Sequence, residues 1–134
     1  MVKVAKIILL NKENKFLLTL RDNNPNIPEP NYWSLVGGHL EEGETPLQAL
    51  KRELKEELSC PITGIKFIGE TYDARFGGIE LLVFKGIVDE EIKNIKVYEG
   101  QKAEFFDLEN LKSIKFTRIF LDFILSNKEK IFEE

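Results

Sequence analysis

Two rhythms of apolar and polar positions run along this chain. Val2 to Leu10 is dense in β-branched and aliphatic residues and reads as a strand. Asn11-Lys12-Glu13-Asn14 has turn composition, and Lys15 to Arg21 reads as the returning strand. Asp22 to Asn31 then holds three prolines (Pro25, Pro28, Pro30) and four asparagines, which no helix or central strand tolerates. That segment is expected to be a surface loop. Trp33 to Val36 is apolar and leads into Gly37-Gly38. The rhythm changes after Thr45: Leu47, Leu50, Leu54 and Leu58 recur at steps of three and four, the stripe of an amphipathic helix. Thr45 is placed to cap it, Pro46 suits its first turn, and Pro61 lies beyond its end. Lys66 to Tyr72 and Ile79 to Val88 predict two more strands around Gly77-Gly78, with Asp89 to Asn94 a charged connection. Lys102 to Leu108 predicts a further strand. Thr117 to Phe132 predicts a second helix, on the spacing of Ile119, Phe120, Phe123, Ile124 and Ile131.

The order strands, helix, strands, helix implies an α+β fold, a mixed sheet between helices in an α/β/α sandwich. No repeat, low-complexity tract or linker divides the chain. Its 134 residues are expected to form a single domain spanning 1–134.

Composition narrows the function classes. Hydrophobic residues at 43% and charged residues at 31% are the balance of a globular protein with a real core. The single Cys60 excludes an internal disulfide and a multi-cysteine zinc site. A net charge of −4, with the nineteen Lys and Arg scattered, argues against a nucleic-acid polymer as partner. No apolar run approaches bilayer length, so no membrane partner is expected. Val4 to Leu10 is short, interrupted by Lys6 and without a small-residue cleavage site, so no secretory signal is expected. A cytoplasmic location follows by default, as a monomer or a homodimer.

The chemistry concentrates on the first helix. At 100° per residue, Glu53, Glu56 and Glu57 fall within a sector of roughly 100° beside the leucine stripe. Like charges at this spacing repel, and Glu56 and Glu57 sit near the helix C-terminus, where the dipole disfavours them. A hard divalent cation would compensate for that cost. Spacing alone leaves a solvated acidic face as the ordinary explanation.

The wider pattern goes further. Gly38 is followed after five residues by Glu44, and after seven more by Arg52-Glu53-Leu54-Lys55-Glu56-Glu57. Trp33-Ser34-Leu35-Val36-Gly37-Gly38 precedes it, and Glu41-Glu42-Gly43-Glu44-Thr45-Pro46 enters the helix. This resembles the Nudix hydrolase signature, G-x5-E-x7-R-E-U-x-E-E-x-G-U, which is met at every position up to Glu57. Ser59 and Cys60 depart from it, standing where the family has glycine and an aliphatic residue. Ser59 is expected to take the left-handed helix end at a cost of roughly 1 kcal/mol. Val36 replaces a frequent proline.

The resemblance implies a Nudix-type sandwich and a magnesium-dependent hydrolase, with Mn²⁺ a possible substitute. Its substrate would be a small nucleotide, cleaved at a phosphoanhydride bond. By the same resemblance Glu53, Glu56, Glu57 and the Gly38 carbonyl would be metal ligands, Arg52 would hold Glu53, and Glu44 would support the loop–helix junction. Glu99-Gly100-Gln101 resembles a segment of MutT-type members, which makes Glu99 a further metal ligand and, with Glu53, a candidate general base. Arg21, Gly37 and Gly38 are candidate substrate contacts, Arg21 equally well a surface charge. His39 is expected at the substrate edge or in a structural role, since magnesium prefers oxygen. Trp33, Tyr72 and Phe76 are expected in the core or at the rim. The loop Asn24 to Asn31 is expected to border the pocket. A MutT-like pyrophosphohydrolase of (deoxy)nucleoside triphosphates or oxidised purine nucleotides is the leading expectation. ADP-ribose, nucleotide sugars, dinucleoside polyphosphates and a binding module with weakened turnover are the alternatives.

Overall fold

Val2–Leu10 forms β1, and the rest of the fold is assembled around it. The computed structural model describes residues 2–133. Along the chain follow β2 (Phe16–Leu20), β3 (Trp33–Ser34), β4 (Val36–His39) and the helix α1 (Pro46–Glu57). Next come β5 (Leu58–Ser59), β6 (Ile62–Asp73), β7 (Ile79–Val88), a 3-10 turn at Ile92–Asn94, β8 (Lys96–Val97) and β9 (Lys102–Phe106). The chain closes with α2 (Leu108–Leu111), α3 (Arg118–Ser126) and α4 (Lys128–Phe132).

β1 pairs in parallel with β7 along its whole length. On its other edge it pairs antiparallel with β4 from Val4 to Ile7 and with β2 at Leu9 and Leu10. β6, β3 and β9 complete a seven-stranded mixed sheet. Because β1 is covered on both faces, its sequence reads as one apolar run. Ala5, Ile7 and Leu9 face α1, packing with Leu50, Leu54 and Leu58. Val4, Ile8 and Leu10 face the opposite layer, with Phe120, Phe123 and Ile124 of α3 and Ile131 of α4. Burying each such side chain contributes about 1.5–3 kcal/mol. The expected α/β/α sandwich is therefore the architecture found.

α1 starts as its sequence predicts, with a reciprocal capping box. The Thr45 hydroxyl accepts from the Gln48 N–H at 3.2 Å, and the Gln48 side chain accepts from the Thr45 N–H at 2.9 Å. Leu47, counted in the apolar stripe, is exposed, and Ala49 fills the buried place instead.

The helix end differs from expectation. Leu58 leaves the helix at φ −145° and ψ 155°, and Ser59 continues in β5, paired with Lys96. Ser59 is not among the positive-φ residues, so no left-handed strain falls on it. The reason lies in the neighbouring strand. The Tyr98 N–H donates to the Glu57 carbonyl at 2.7 Å, satisfying a helix-end acceptor that a left-handed cap would otherwise serve.

Further elements depart from the sequence reading, among them the strand expected over Lys102 to Leu108, which ends at Phe106 where Asp107 caps α2. β6 begins at Ile62 rather than Lys66, because two bulges, between Thr63 and Lys66 and between Phe67 and Gly69, disrupt its alternation. The C-terminal helix is two helices broken at Asn127, whose side-chain amide donates to the Phe123 carbonyl at 2.8 Å. Gly37 and Gly38 lie within β4. A Cβ on Gly37 would collide with the Ala5 carbonyl, so the close approach of β4 to β1 requires glycine there.

Candidate active site

Arg52 organises one end of α1. Its Nε and Nη2 reach the two Glu44 carboxylate oxygens at 2.8 and 2.9 Å, a bidentate pair. Nη1 donates to Glu53 Oε1 at 2.9 Å, and Nη2 also donates to the His39 carbonyl at 3.0 Å. The Arg52 bond, with the Glu41 N–H at 2.7 Å, holds the Glu44 carboxyl down to about 2. Arg52 thus bonds Glu53, and its pair with Glu44 ties the loop before α1 to the helix. Gly38 lies against the same carboxylate: a Cβ there would stand 2.6 Å from the Glu53 carboxyl carbon.

Glu57 lies on the inner side. The Gly37 N–H donates to its Oε2 at 3.0 Å, yet burial pushes its carboxyl up to about 7. Lys6 and the Gly37 bond pull the other way, while the charges of Glu53 and Glu99 add to the rise. Glu99 is raised as well, by desolvation first and then by Glu53, Glu56 and Asp22. Glu53 and Glu57 come to this place from α1, and Glu99 from the segment between β8 and β9. Glu53, Glu57 and Glu99 line a cavity of about 220 Å³, together with Lys6, Arg21 and Gly37. Glu56 is not in that lining; its side chain is 48% exposed and stands 3.5 Å from Arg52 Nη1. Among the described residues no three His, Cys, Asp or Glu groups converge closely enough to grip an ion as they stand. The donor set nonetheless fits a hard cation, because Asp22, Glu53, Glu57 and Glu99 line the cavity against only Lys6 and Arg21 among the described residues, and all its acidic donors are oxygen.

A second cavity, about 410 Å³, adjoins the first. The two share Lys6, Arg21, Ser34 and Gly37. Its apolar wall is Val2, Val4, Ile79, Leu81, Phe76 and Phe120, and Gly38 and His39 also border it. Phe76 is exposed at the rim, and Trp33 packs edge-on against Phe106 beside the core. Pro28 and Glu29 of the proline-rich loop border this cavity and Ile27 the first, as expected of that segment. Glu29 accepts from Arg75 at 3.2 Å and from the Thr117 hydroxyl at 3.1 Å, and Arg75 is held by Asp73 at 2.9 and 3.0 Å.

Sequence reasoning missed Lys6, Glu29, Asp73, Arg75 and Thr117. Lys6 carried a signal, as the one charge inside the apolar run Val4 to Leu10. The other four come from three separate segments, and no local pattern joins them.

The family model for the NUDIX domain matches residues 2–123. The ADP-ribose pyrophosphatase of Methanocaldococcus jannaschii is 34% identical over 113 residues, covering 81% of this chain and 63% of that protein. The RNA pyrophosphohydrolase of Francisella tularensis subsp. mediasiatica is 37% identical over 67 residues, covering 50% and 39%. The chain therefore spans less than two thirds of the length of either relative. Among solved structures, the MutT protein from Methanosarcina mazei superposes with a TM-score of 0.80 at 21% identity, covering 96% of this chain and 94% of that one. The NUDIX domain of Shewanella oneidensis NrtR, complexed with ADP ribose, gives 0.79 at 18% identity, covering 97% and 88%. These last two establish a shared fold. The match over residues 2–123 establishes that the chain belongs to the NUDIX family.

Proposed function

We propose that this chain is a divalent-metal-dependent hydrolase that cleaves the pyrophosphate bond of a nucleoside diphosphate derivative, foremost a nucleoside triphosphate. The observation that carries this reading is the pair of joined cavities. Glu53, Glu57 and Glu99 border the smaller one, which opens past Lys6, Arg21, Ser34 and Gly37 into a larger one with an apolar wall. A pyrophosphate is itself anionic, so carboxylates can hold it only through a bridging cation. Glu53, Glu56, Glu57, Glu99 and the Gly38 carbonyl would hold Mg²⁺, or Mn²⁺ in its place. When bound, the metal supplies charge neutralisation and polarises the phosphoryl oxygens. Glu53 or Glu99 would take the proton of the attacking water, with Arg52 fixing Glu53 for that task. The larger cavity would exclude water around the nucleoside and orient it for in-line attack.

The apolar cavity joined to the acidic one suits a substrate with a bulky group attached to its phosphates. ADP-ribose is the second reading, supported by the name of the 34% identical relative. The weakened binding module loses its one hint, since Ser59 is unstrained in β5.

The test is a nucleotide panel with Mg²⁺, read by release of phosphate or pyrophosphate. It would contain ordinary and oxidised deoxynucleoside triphosphates, ADP-ribose, a nucleotide sugar and a dinucleoside polyphosphate. Turnover of at least one member, abolished by chelator and restored by Mg²⁺ or Mn²⁺, is expected. Turnover undiminished in excess chelator, or none on the whole panel, would overturn the reading.

A further inference from the structure

Lys6 is the charged residue that the fold has the least evident reason to keep. On β1 it falls in phase with Val4 and Ile8, which are buried in the layer against α3. An ammonium there gives up hydration that neither neighbour had to give up. Its side chain also lies under the Phe120 ring, 5.9 Å from the centroid. Two protons of the ammonium are directed: Nζ donates to the Leu35 carbonyl at 3.2 Å and to the Gly37 carbonyl at 3.1 Å. Among the described residues the third proton has no acceptor and the ammonium makes no ion pair. Glu57 and Glu53 act on it through space only.

Its position gives that proton a destination. Lys6 lines both cavities, and among the described residues only Arg21, Ser34 and Gly37 share that property. The Ser34 hydroxyl is already committed to the Leu35 carbonyl at 3.1 Å, and Arg21 turns its Nε to the Pro28 carbonyl at 2.9 Å, leaving its two terminal nitrogens, among the described residues, as a second open donor group beside Lys6. Lys6 therefore brings an undercommitted cation to the place where the acidic cavity gives way to the apolar one. In a nucleotide threaded through both, the group at that point is the phosphate attached to the nucleoside. We infer that Lys6 binds a non-bridging oxygen of that nucleoside-proximal phosphate, with the Leu35 and Gly37 carbonyls aiming its third proton across the junction. This inference rests on the nucleotide reading of the two cavities.

Lys6→Met keeps the length of the side chain and removes the charge. Titration calorimetry without divalent metal would compare wild type and variant against AMP, GMP, CMP and UMP and against the matching nucleosides. The expected result is nucleoside monophosphate binding about 10- to 100-fold weaker in Lys6→Met, the loss of a hydrogen bond to a charged group, with nucleoside binding unchanged. Equal loss of nucleoside binding would show that Lys6 merely staples β1 to the β3–β4 bend and overturn the inference. So would unchanged monophosphate binding, or a wild type that binds no monophosphate. Should Lys6→Met fail to fold, the ¹³Cε resonance of Lys6 in wild type serves instead. It is expected to move on addition of the bound monophosphate and to stay in place with its nucleoside; equal response to both would overturn the inference. Failure of the broader reading looks different: monophosphate binding would depend on Lys6 while wild type turned over no member of the nucleotide panel.

Discussion

Arg52 and Arg75 each gather carboxylates, and they do so on opposite plans. The partners of Arg52, namely Glu41, Glu44, Glu53, Glu56 and the His39 carbonyl, all fall between residues 39 and 56. Arg75 binds Asp73 two residues away, but also Glu29, 46 positions distant in the chain, and Glu29 in turn holds Thr117, 88 positions from it. One cluster is drawn from a single loop and helix and presents Glu53 to the acidic cavity. The other ties the proline-rich loop to the β6–β7 turn and to the start of α3, and it lines the second cavity. Glu29 sits at φ +47°, a left-handed conformation unfavourable for a side chain by roughly 1–2 kcal/mol, so its two bonds hold the loop in a shape it would not adopt alone. The contrast teaches a division of labour. On the proposed reading, a contiguous pattern fixes the groups that would face the reacting phosphates, and long-range pairing fixes the shape that would receive the rest of the substrate.

The sharpest way to break that division is Glu53→Gln. It removes a charge and a proton acceptor at nearly constant shape, and Arg52 keeps Glu44 as its bidentate partner. A drop in kcat of at least about 100-fold is expected, with KM little changed and the fold intact by circular dichroism. A folded variant with nearly full turnover would reduce the acidic face of α1 to ordinary solvated charge.

Glu29→Gln probes the other cluster and should act on a different parameter. Losing the carboxylate weakens the grip of Arg75 and Thr117 on the loop, 3.2 and 3.1 Å contacts in the wild type. KM for the preferred nucleotide is expected to rise about 10-fold while kcat stays within about twofold, the mark of lost uniform binding. Steady-state kinetics on the substrate found by the panel would measure both. A fall in kcat at constant KM would mean that the Arg75 cluster belongs with the chemistry, and the contrast between the two clusters would collapse.

The same contrast explains what the sequence could tell. β1, β7 and α1 were legible to within a residue or so, because dense β-branched and aliphatic runs, leucine spacing and the Thr45 cap are local signals. The Arg52 cluster was legible for the same reason, lying within one motif. The early start of β6 was hidden by bulges that disrupt its period. The break at Asn127 was hidden because helical spacing of apolar residues runs on across it. The second cavity was invisible, since Glu29, Asp73, Arg75 and Thr117 meet only after the sheet has formed. Lys6 stood in plain view inside an apolar run, but only the register of β1 against β4 and β7 reveals that it faces two cavities.

The smallest expected effect tests where the local pattern stops governing. Ser59 stands at the motif position where a glycine would end α1 in a left-handed turn, yet here it is the second residue of β5. Its partner is Lys96, a non-local contact, and Leu58 beside it pairs with Val97. If tertiary pairing sets this helix end, glycine at 59 relieves no strain and only adds freedom to the unfolded chain. Ser59→Gly should then lower stability by about 0.5–1 kcal/mol, the usual cost of glycine in extended structure. Turnover should hardly change, because the Ser59 side chain is exposed and lines neither cavity. Urea unfolding of the two forms would read a shift in midpoint at constant slope. A gain in stability of similar size would mean that Ser59 is strained in solution after all. The motif, rather than β8, would then dictate the end of α1, and the boundary between local and long-range control would move past Glu57.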